Sequence, residues 1–323
     1  MMVWLGPLQP SGPNVHRGAI ALLLVTLIAC GGSPTTPTSP TTPTSPTTPT
    51  CSGTVGVSCF GTLHYVEYIP GDFPLVISVP HGGALTPASI PNRTVGTTVT
   101  DTNTIELGQA ISQAFVTRLG RRPHLVIVHL RRTKLDANRE VVEAAQGNAD
   151  AIRAWNEYHA FVELAMAAVR QRSGTGLYID LHGHGHAKAR LELGYLLSAA
   201  TLNGTDAQLN GSNAAASSSL RLLAQQSSLT SAALLRGASS LGGLLEGRVP
   251  SVPSPSAPSP GSDPYFDGGY STSRHTLTLP GLQIESHFTG VRDTATSRAA
   301  FGDALVTALE TFLRVHLGLQ PAA

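Results

Sequence analysis

Short apolar runs that alternate with helix-length stretches constrain this chain more than any other feature. Residues 74–79 (PLVISV), 124–130 (HLVIVHL), 177–181 (LYIDL) and 281–286 (GLQIES) each have the length and the Val, Ile and Leu content of a buried strand. The first is halted by Pro80 and the Gly82–Gly83 pair, which break a ladder and permit a sharp turn. Residues 191–198 (LELGYLLS) are a further strand candidate. Between the runs, apolar residues recur at helical spacing. They do so over 101–119 (Ile105, Leu107, Ile111, Phe115, Val116, Leu119, then Gly120), over 149–172, closed by Gly174, and over 294–316 (Phe301, Leu305, Ala308, Leu309, Phe312, Leu313). Thr100, Asp101 and Thr102 are cap candidates for the first helix. Strands alternating with helices long enough to cross a sheet predict an α/β layered fold. Ligands of such folds bind outside the carboxyl ends of the strands, so the residues that follow each run carry the functional question.

The chain before the first strand reads differently. Residues 19–29 (AIALLLVTLIA) form an apolar run preceded by Arg17. The run is shorter than the roughly 20 residues that span a bilayer, and its length and flank suit the core of a signal peptide. It ends in Leu27-Ile28-Ala29-Cys30, which resembles a bacterial lipobox. That resemblance implies a signal peptide over 1–29, a lipid on the Cys30 thiol and an extracytoplasmic protein held to a membrane only by this anchor. Stable anchoring takes more than one acyl chain, since each buried CH₂ contributes about 0.8 kcal/mol. Residues 33–50 repeat Ser, Thr and Pro. They have no apolar face to bury and favour extended polyproline II, so 30–58 is expected to be a tether. Cys51 and Cys59 can close a small loop in an oxidising compartment. Two thiols with no nearby His make a poor zinc site.

One catalytic domain is expected over 59–318, interrupted by a low-complexity insertion at about 200–262. That stretch is rich in Ser, Ala, Gly and Leu and ends in Pro and Ser. Its middle, near Leu220 to Leu245, has helical character, and its end is expected to be exposed and irregular. Lys and Arg number 21 against 20 Asp and Glu. With no basic stripe to neutralise phosphates, a nucleic-acid partner is not expected.

Four residues stand where the chemistry of an α/β fold belongs. His81 follows the first strand in SVPHGG, where glycines allow a close approach. His182 lies two residues beyond Asp180 on the same strand face, so the carboxylate can orient the imidazole. His184 and His186 continue the alternation but read as loop residues. Glu285 is an acid inside an apolar run, which costs free energy unless it is paired or functional, or points outward from an edge strand. Arg139, in the turn with Asp136 and Asn138, offers a planar fork that suits a carboxylate. Each taken singly also has a structural explanation: a packed His, a His-rich surface loop, a solvated turn.

Taken in order, SVPHGG, TDTN, LDANR, DLHG, GGYSTSRH and LQIES resemble the N-formylglutamate amidohydrolase family over about residues 70–290. The resemblance implies a carboxypeptidase-like mixed sheet flanked by helices on both faces, and one zinc ion. It further implies that His81, His182 and Asp101 bind the metal, and that Glu285 is the general base. Arg139, with Asn138 beside it, would hold the substrate carboxylate or the developing oxyanion. Tyr270, Arg274 and His275 would line the substrate pocket. Carboxypeptidases place an acidic ligand three residues after the first His, where this chain has Ala84, so Asp101 competes with Glu106 for that role. The implied substrate is a small amide or peptide bearing a carboxylate. A surface binding lipoprotein that keeps the fold without catalysis is the alternative, and it would not need Glu285. Ser–His–Asp catalysis lacks its G-x-S-x-G elbow here.

Overall fold

Each expected strand forms, and all join one sheet. The computed structural model describes residues 50–320. Its strands are β1 (Cys59–Phe60), β2 (Val66–Ile69), β3 (Leu75–Val79), β4 (His124–Val128), β5 (Leu177–His184), β6 (Leu191–Gly194), β7 (Ser251–Val252) and β8 (Gly281–His287). They lie in the order β1-β2-β4-β3-β5-β8-β6-β7. The centre is parallel, β4 to β3 to β5 to β8, while β1, β2 and β6 pair antiparallel with their inner neighbours. The signal peptide over 1–29, the Cys30 lipid and the tether up to residue 49 lie outside the described residues. Among the described residues no helix is long and apolar enough to cross a membrane. Cys51 and Cys59 are joined in a disulfide that ties the entering chain to β1.

The pleat divides the sheet into two cores. Leu75, Ile77 and Val79 of β3, Leu125 and Ile127 of β4, Leu177, Ile179 and Leu181 of β5, and Leu282 and Ile284 of β8 pack with the helices α1 (Thr104–Leu119) and α3 (Ala295–Leu317). On the opposite face Val76, Val126, Val128 and Tyr178 pack under α2 (Ala149–Ser173). The mixed sheet is thus covered by helices on both faces. Because side chains alternate along a strand, Ser78, Asp180, His182, Gln283 and Glu285 all fall on the α2 face. Toward the strands' carboxyl ends that face becomes polar.

Helix boundaries follow their caps. Asn148 accepts from the backbone N–H groups of Asp150 and Ala151 at the start of α2, and Thr294 accepts from Ser297 N–H at the start of α3. Helix α1 begins three residues later than its apolar pattern predicts. Asn103 adopts a left-handed conformation, φ 64°, which Asn tolerates better than most residues. The preceding turn is thereby peeled away from the helix, and Asp101 N–H bonds to the His81 carbonyl at 3.1 Å. Strand β6 is shorter than expected because Leu196 also takes positive φ, 61°.

The segment 200–262 is helical in its middle, as its pattern suggests, and irregular over 255–262, but it packs more deeply than an exposed insertion. Its Leu202, Leu209, Leu223, Leu234, Leu235, Leu241 and Leu245 are buried in the same core as α3, and its end supplies β7, which pairs parallel with β6. Short helices carry this packing, and Ser198, Thr205, Thr230 and Ser240 each cap one by accepting a backbone N–H. Ser and Thr, which read as low complexity, act here as helix N-caps.

Candidate metal centre

Three side chains converge where β3, the turn before α1, and β5 meet. The loop after β3 delivers His81, passing so near His129 and Leu130 that a Cβ at Gly83 would overlap their carbonyls. His182 Nδ1 lies 3.1 Å from His81 Nδ1 and 3.3 Å from Asp101 Oδ2, and His81 Nδ1 lies 3.5 Å from the same oxygen. All three residues are buried.

The outer nitrogen of each imidazole faces a carboxylate. His81 Nε2 donates to Asp136 Oδ1 at 2.6 Å, and His182 Nε2 lies 3.1 Å from Asp180 Oδ2, with the Asn138 amide nitrogen farther off at 3.4 Å. Each carboxylate is held in turn. Asp136 accepts from Arg132 Nε at 3.0 Å and from Asn138 N–H at 3.1 Å; Asp180 accepts from Ser78 at 2.9 Å and from Thr272 at 3.2 Å. In the tautomers that give each carboxylate a proton from its imidazole, the two Nδ1 atoms and Asp101 Oδ2 are three lone pairs pointed at one another. Either a proton or a cation must lie among them. Metal bonds of about 2.0–2.1 Å place tetrahedral ligand atoms roughly 3.3–3.4 Å apart, which is the size of this triangle. The donor set therefore fits zinc, with two imidazoles and a carboxylate leaving a fourth position for another ligand.

The electrostatics agree. Burial opposes the charge on Asp101, but hydrogen bonds from His182 and His81 outweigh it and hold the carboxyl below its usual range. Burial also opposes a charge on His182, yet Asp180 and Asp101 pull the imidazole well above its usual range. A proton is attracted to the place a cation would fill, and metal binding would displace it.

Glu285 sits beside His182 in the parallel β5–β8 register. Burial pushes its carboxyl up to about 8, with Asp101 and Glu192 adding to the rise and His182 opposing it. Gln283 Nε2 donates to Glu285 Oε1 at 3.0 Å. These groups open onto a cavity of about 480 Å³ whose wall includes His81, Asp101, Arg132, Asn138, His182 and Glu285.

Most of the residues expected at the site are brought together, and some are not. His81, Asp101, His182, Glu285, Asn138 and Arg139 all line the cavity. Glu106 is exposed on α1 and takes no part in the cluster. Asn138 Oδ1 accepts from Ser271 N–H at 2.7 Å, and a Cβ at Gly269 would overlap the Asn138 amide, so this side chain also seats the loop before the 270–275 helix. Arg139 is about one-third exposed at the rim, 3.5 Å from Glu143. The expectation for Tyr270, Arg274 and His275 is corrected, because none of them lines the cavity. Their helix turns toward α2. Arg274 stacks on Trp155 and bonds Glu163 at 2.9 Å, and His275 is buried 2.8 Å from His159. Phe266, Asp267, Gly268 and Gly269, just upstream, line the cavity instead. His184 is corrected too: it is the last residue of β5 and buried, not a loop residue.

Arg132 and Gln283 are among the lining residues that the sequence pattern did not single out. Arg132 lies 3.5 Å from Asp101 Oδ1 and 3.0 Å from Asp136 Oδ2; the signal for it was a cation just beyond the end of a buried strand. Gln283 is a buried amide two residues before Glu285 on the same strand face, and alternation alone could have flagged it.

The fold and this centre define the class of protein: a mixed-sheet α/β domain carrying a two-histidine, one-carboxylate cluster at the strands' carboxyl ends. No family model matches the chain, and no curated protein matches it by sequence. Among solved structures it is similar to an N-formylglutamate amidohydrolase from Ralstonia eutropha JMP134, at 16% identity and TM-score 0.46, over 76% of this chain and 95% of that one. It is also similar to an N-acetylmuramyl-L-alanine amidase from Mycobacterium smegmatis, at 15% identity and TM-score 0.34, over 75% of this chain and 97% of that one.

Proposed function

We propose that the protein is a zinc-dependent amidohydrolase that cleaves an amide bond in a carboxylate-bearing N-acyl amino acid or short peptide, outside the cytoplasm. The observation that carries this reading is the buried triangle of His81 Nδ1, Asp101 Oδ2 and His182 Nδ1, with sides of 3.1–3.5 Å. Zinc held there would supply a Lewis acid and a bound water of lowered pKa.

The chain's own residues supply the rest. Asp136 and Asp180 orient the two imidazoles and keep Nδ1 free. Glu285 is the general base. Burial raises the pKa of its carboxyl, so once ionised it is a stronger proton acceptor than a free carboxylate and can take a proton from the attacking water and return it to the leaving amine. Arg132 presents a guanidinium to the same cavity, where it stabilises the oxyanion that develops on the amide carbonyl. Arg139, freer at the rim, takes the substrate carboxylate.

The extracytoplasmic placement rests on the lipobox-like Cys30 and the tether. The disulfide at Cys51 and Cys59 is in keeping with an oxidising compartment. An exported enzyme meets cell-wall peptides rather than products of cytoplasmic metabolism, so they are the first substrates to assay beside N-formylglutamate. Amine release from either class, lost in Glu285→Gln with the metal retained, is the expected result. No release from any carboxylated amide by the zinc-loaded protein would turn the reading to a binding protein.

A further inference from the structure

A second group of potential metal ligands stands at the same cavity, with His184 and His186 on its wall. His182, His184 and His186 follow one another at every second position, separated by glycines. His184 Nε2 donates to the Arg190 carbonyl at 2.8 Å, which fixes its tautomer and leaves Nδ1 with a lone pair. That lone pair accepts from the His186 backbone N–H at 3.2 Å, a bond that a cation there would displace. His186 Nδ1 lies 2.9 Å from Glu192 Oε1. Glu192, on β6, has no exposed surface, and its other oxygen accepts from Phe266 N–H at 2.9 Å. One donor atom from each of His184, His186 and Glu192 lies within 4.8 Å of the others. A fourth imidazole, His287, faces His184 in the β5–β8 register with ring centroids 5.4 Å apart. Its Nδ1 donates to the Thr289 carbonyl at 3.2 Å, so its Nε2 is also free of a proton.

The charge pattern asks for a cation at this place. Glu192 is the direct antiparallel partner of Glu285, and both are buried. Two carboxyl groups directly opposite one another on neighbouring strands crowd their oxygens together and favour a donor or a cation between them. Arg190 lies 3.7 Å from Glu192 and 2.9 Å from Asp263, so its charge is shared between two carboxylates.

We propose that His184, His186 and Glu192 form a second divalent-cation site, distinct from the centre at His81, Asp101 and His182. Two imidazoles and one carboxylate select a borderline ion such as zinc over magnesium or calcium. Residues two apart on a strand are separated by about 6.6 Å. Two ions bridged by one hydroxide lie roughly 3.5–4 Å apart, so the second ion does not share the attacking water. Its place across the cavity, beside Glu285, suits it to bind an anionic group of the substrate, a carboxylate or a phosphate. The site is independent of the hydrolase reading, since a binding protein could carry it equally well.

The test is zinc counting on the tag-free, full-length protein after dialysis against defined free zinc, beside three variants. Two ions per chain are expected in the parent, one in His186→Gln, one in the His81→Ala, His182→Ala double variant, and none when all three changes are combined. His186 is partly exposed, so glutamine there leaves the core intact, and a melting curve without metal checks this. One ion in the parent that His186→Gln leaves in place would overturn the proposal, as would two ions unchanged in His186→Gln. The double variant reads the second site without disturbing it, and no ion there would overturn the proposal even if His186→Gln failed to fold. A first centre that fails shows differently, as one ion lost by His186→Gln and untouched by the double variant.

Discussion

Replacing Asp136 with asparagine removes one charge and almost no volume, and the structure says what it should do. Oδ1 of Asp136 accepts from His81 Nε2 at 2.6 Å and from Asn138 N–H at 3.1 Å, while Oδ2 accepts from Arg132 Nε at 3.0 Å. Every polar neighbour on both sides is a donor. An asparagine amide must turn its NH₂ toward one of them, so a donor meets a donor in a fully buried position. If NH₂ faces His81, the imidazole is driven toward the tautomer that protonates Nδ1 and blocks the metal. If it faces Arg132, the guanidinium loses its hold and shifts against Asp101. A buried donor left without an acceptor costs about 1–3 kcal/mol. Losing the carboxylate behind a metal-bound imidazole lowers metal affinity about 10- to 100-fold, roughly 1.4–2.7 kcal/mol, so two independent routes give the same size. The assay is competition of Asp136→Asn and parent for zinc against a chelating dye, with metal-free melting curves to separate folding from binding. Affinity within a factor of two of the parent, in a folded protein, would refute the claim that Asp136 sets the tautomer of His81.

Three further outcomes are expected. Glu285→Gln should lower hydrolysis by about 10²- to 10⁴-fold and leave the first metal bound, read by parallel turnover and metal counts; equal turnover in both would remove Glu285 from the chemistry. Leu235→Ala should cost about 2–5 kcal/mol in urea unfolding, because this side chain of the 200–262 segment is fully buried; a loss under 1 kcal/mol would return that segment to the surface. His124, remote from the metal at the opposite end of β4, should make the protein acid-sensitive. Its Nδ1 accepts from Tyr68 OH at 2.7 Å and Gly71 N–H at 3.2 Å, and burial lowers its pKa from 6.5 to about 4. The folded state thus keeps it neutral while the unfolded chain takes up a proton. Its stabilising effect is complete above pH 6.5 and is lost as pH falls toward 4, by about 2 kcal/mol at pH 5. Urea unfolding at pH 7.5 and 5 should show that extra loss in the parent over His124→Gln, and equal losses would count against it.

What was legible in the sequence was what depends on one element at a time. The apolar runs and helical spacing placed β3, β4, β5, β8 and the three long helices to within a few residues, and His81 and His182 were visible because each sits at or just beyond a strand's carboxyl end. Asp101 was harder, because only the left-handed turn at Asn103 takes it off the helix and into the cluster. The pattern alone could not separate it from Glu106. Tyr270, Arg274 and His275 were misplaced because a motif's position in the chain does not say which way a short helix turns, and theirs turns toward Trp155 and Glu163. Composition hid the packing of 200–262, where serines and threonines act as caps and leucines fill the core. Glu192 went unnoticed because its meaning comes from the β6–β8 register, which no local pattern encodes.

The most direct test of the account is a crystal of the zinc-soaked protein measured on both sides of the zinc absorption edge. An anomalous peak about 2.0–2.2 Å from His81 Nδ1, Asp101 Oδ2 and His182 Nδ1, within reach of Glu285, is the predicted result. No peak among those three atoms at saturating zinc, with the side chains in place, would contradict the central claim that this cluster is a metal centre.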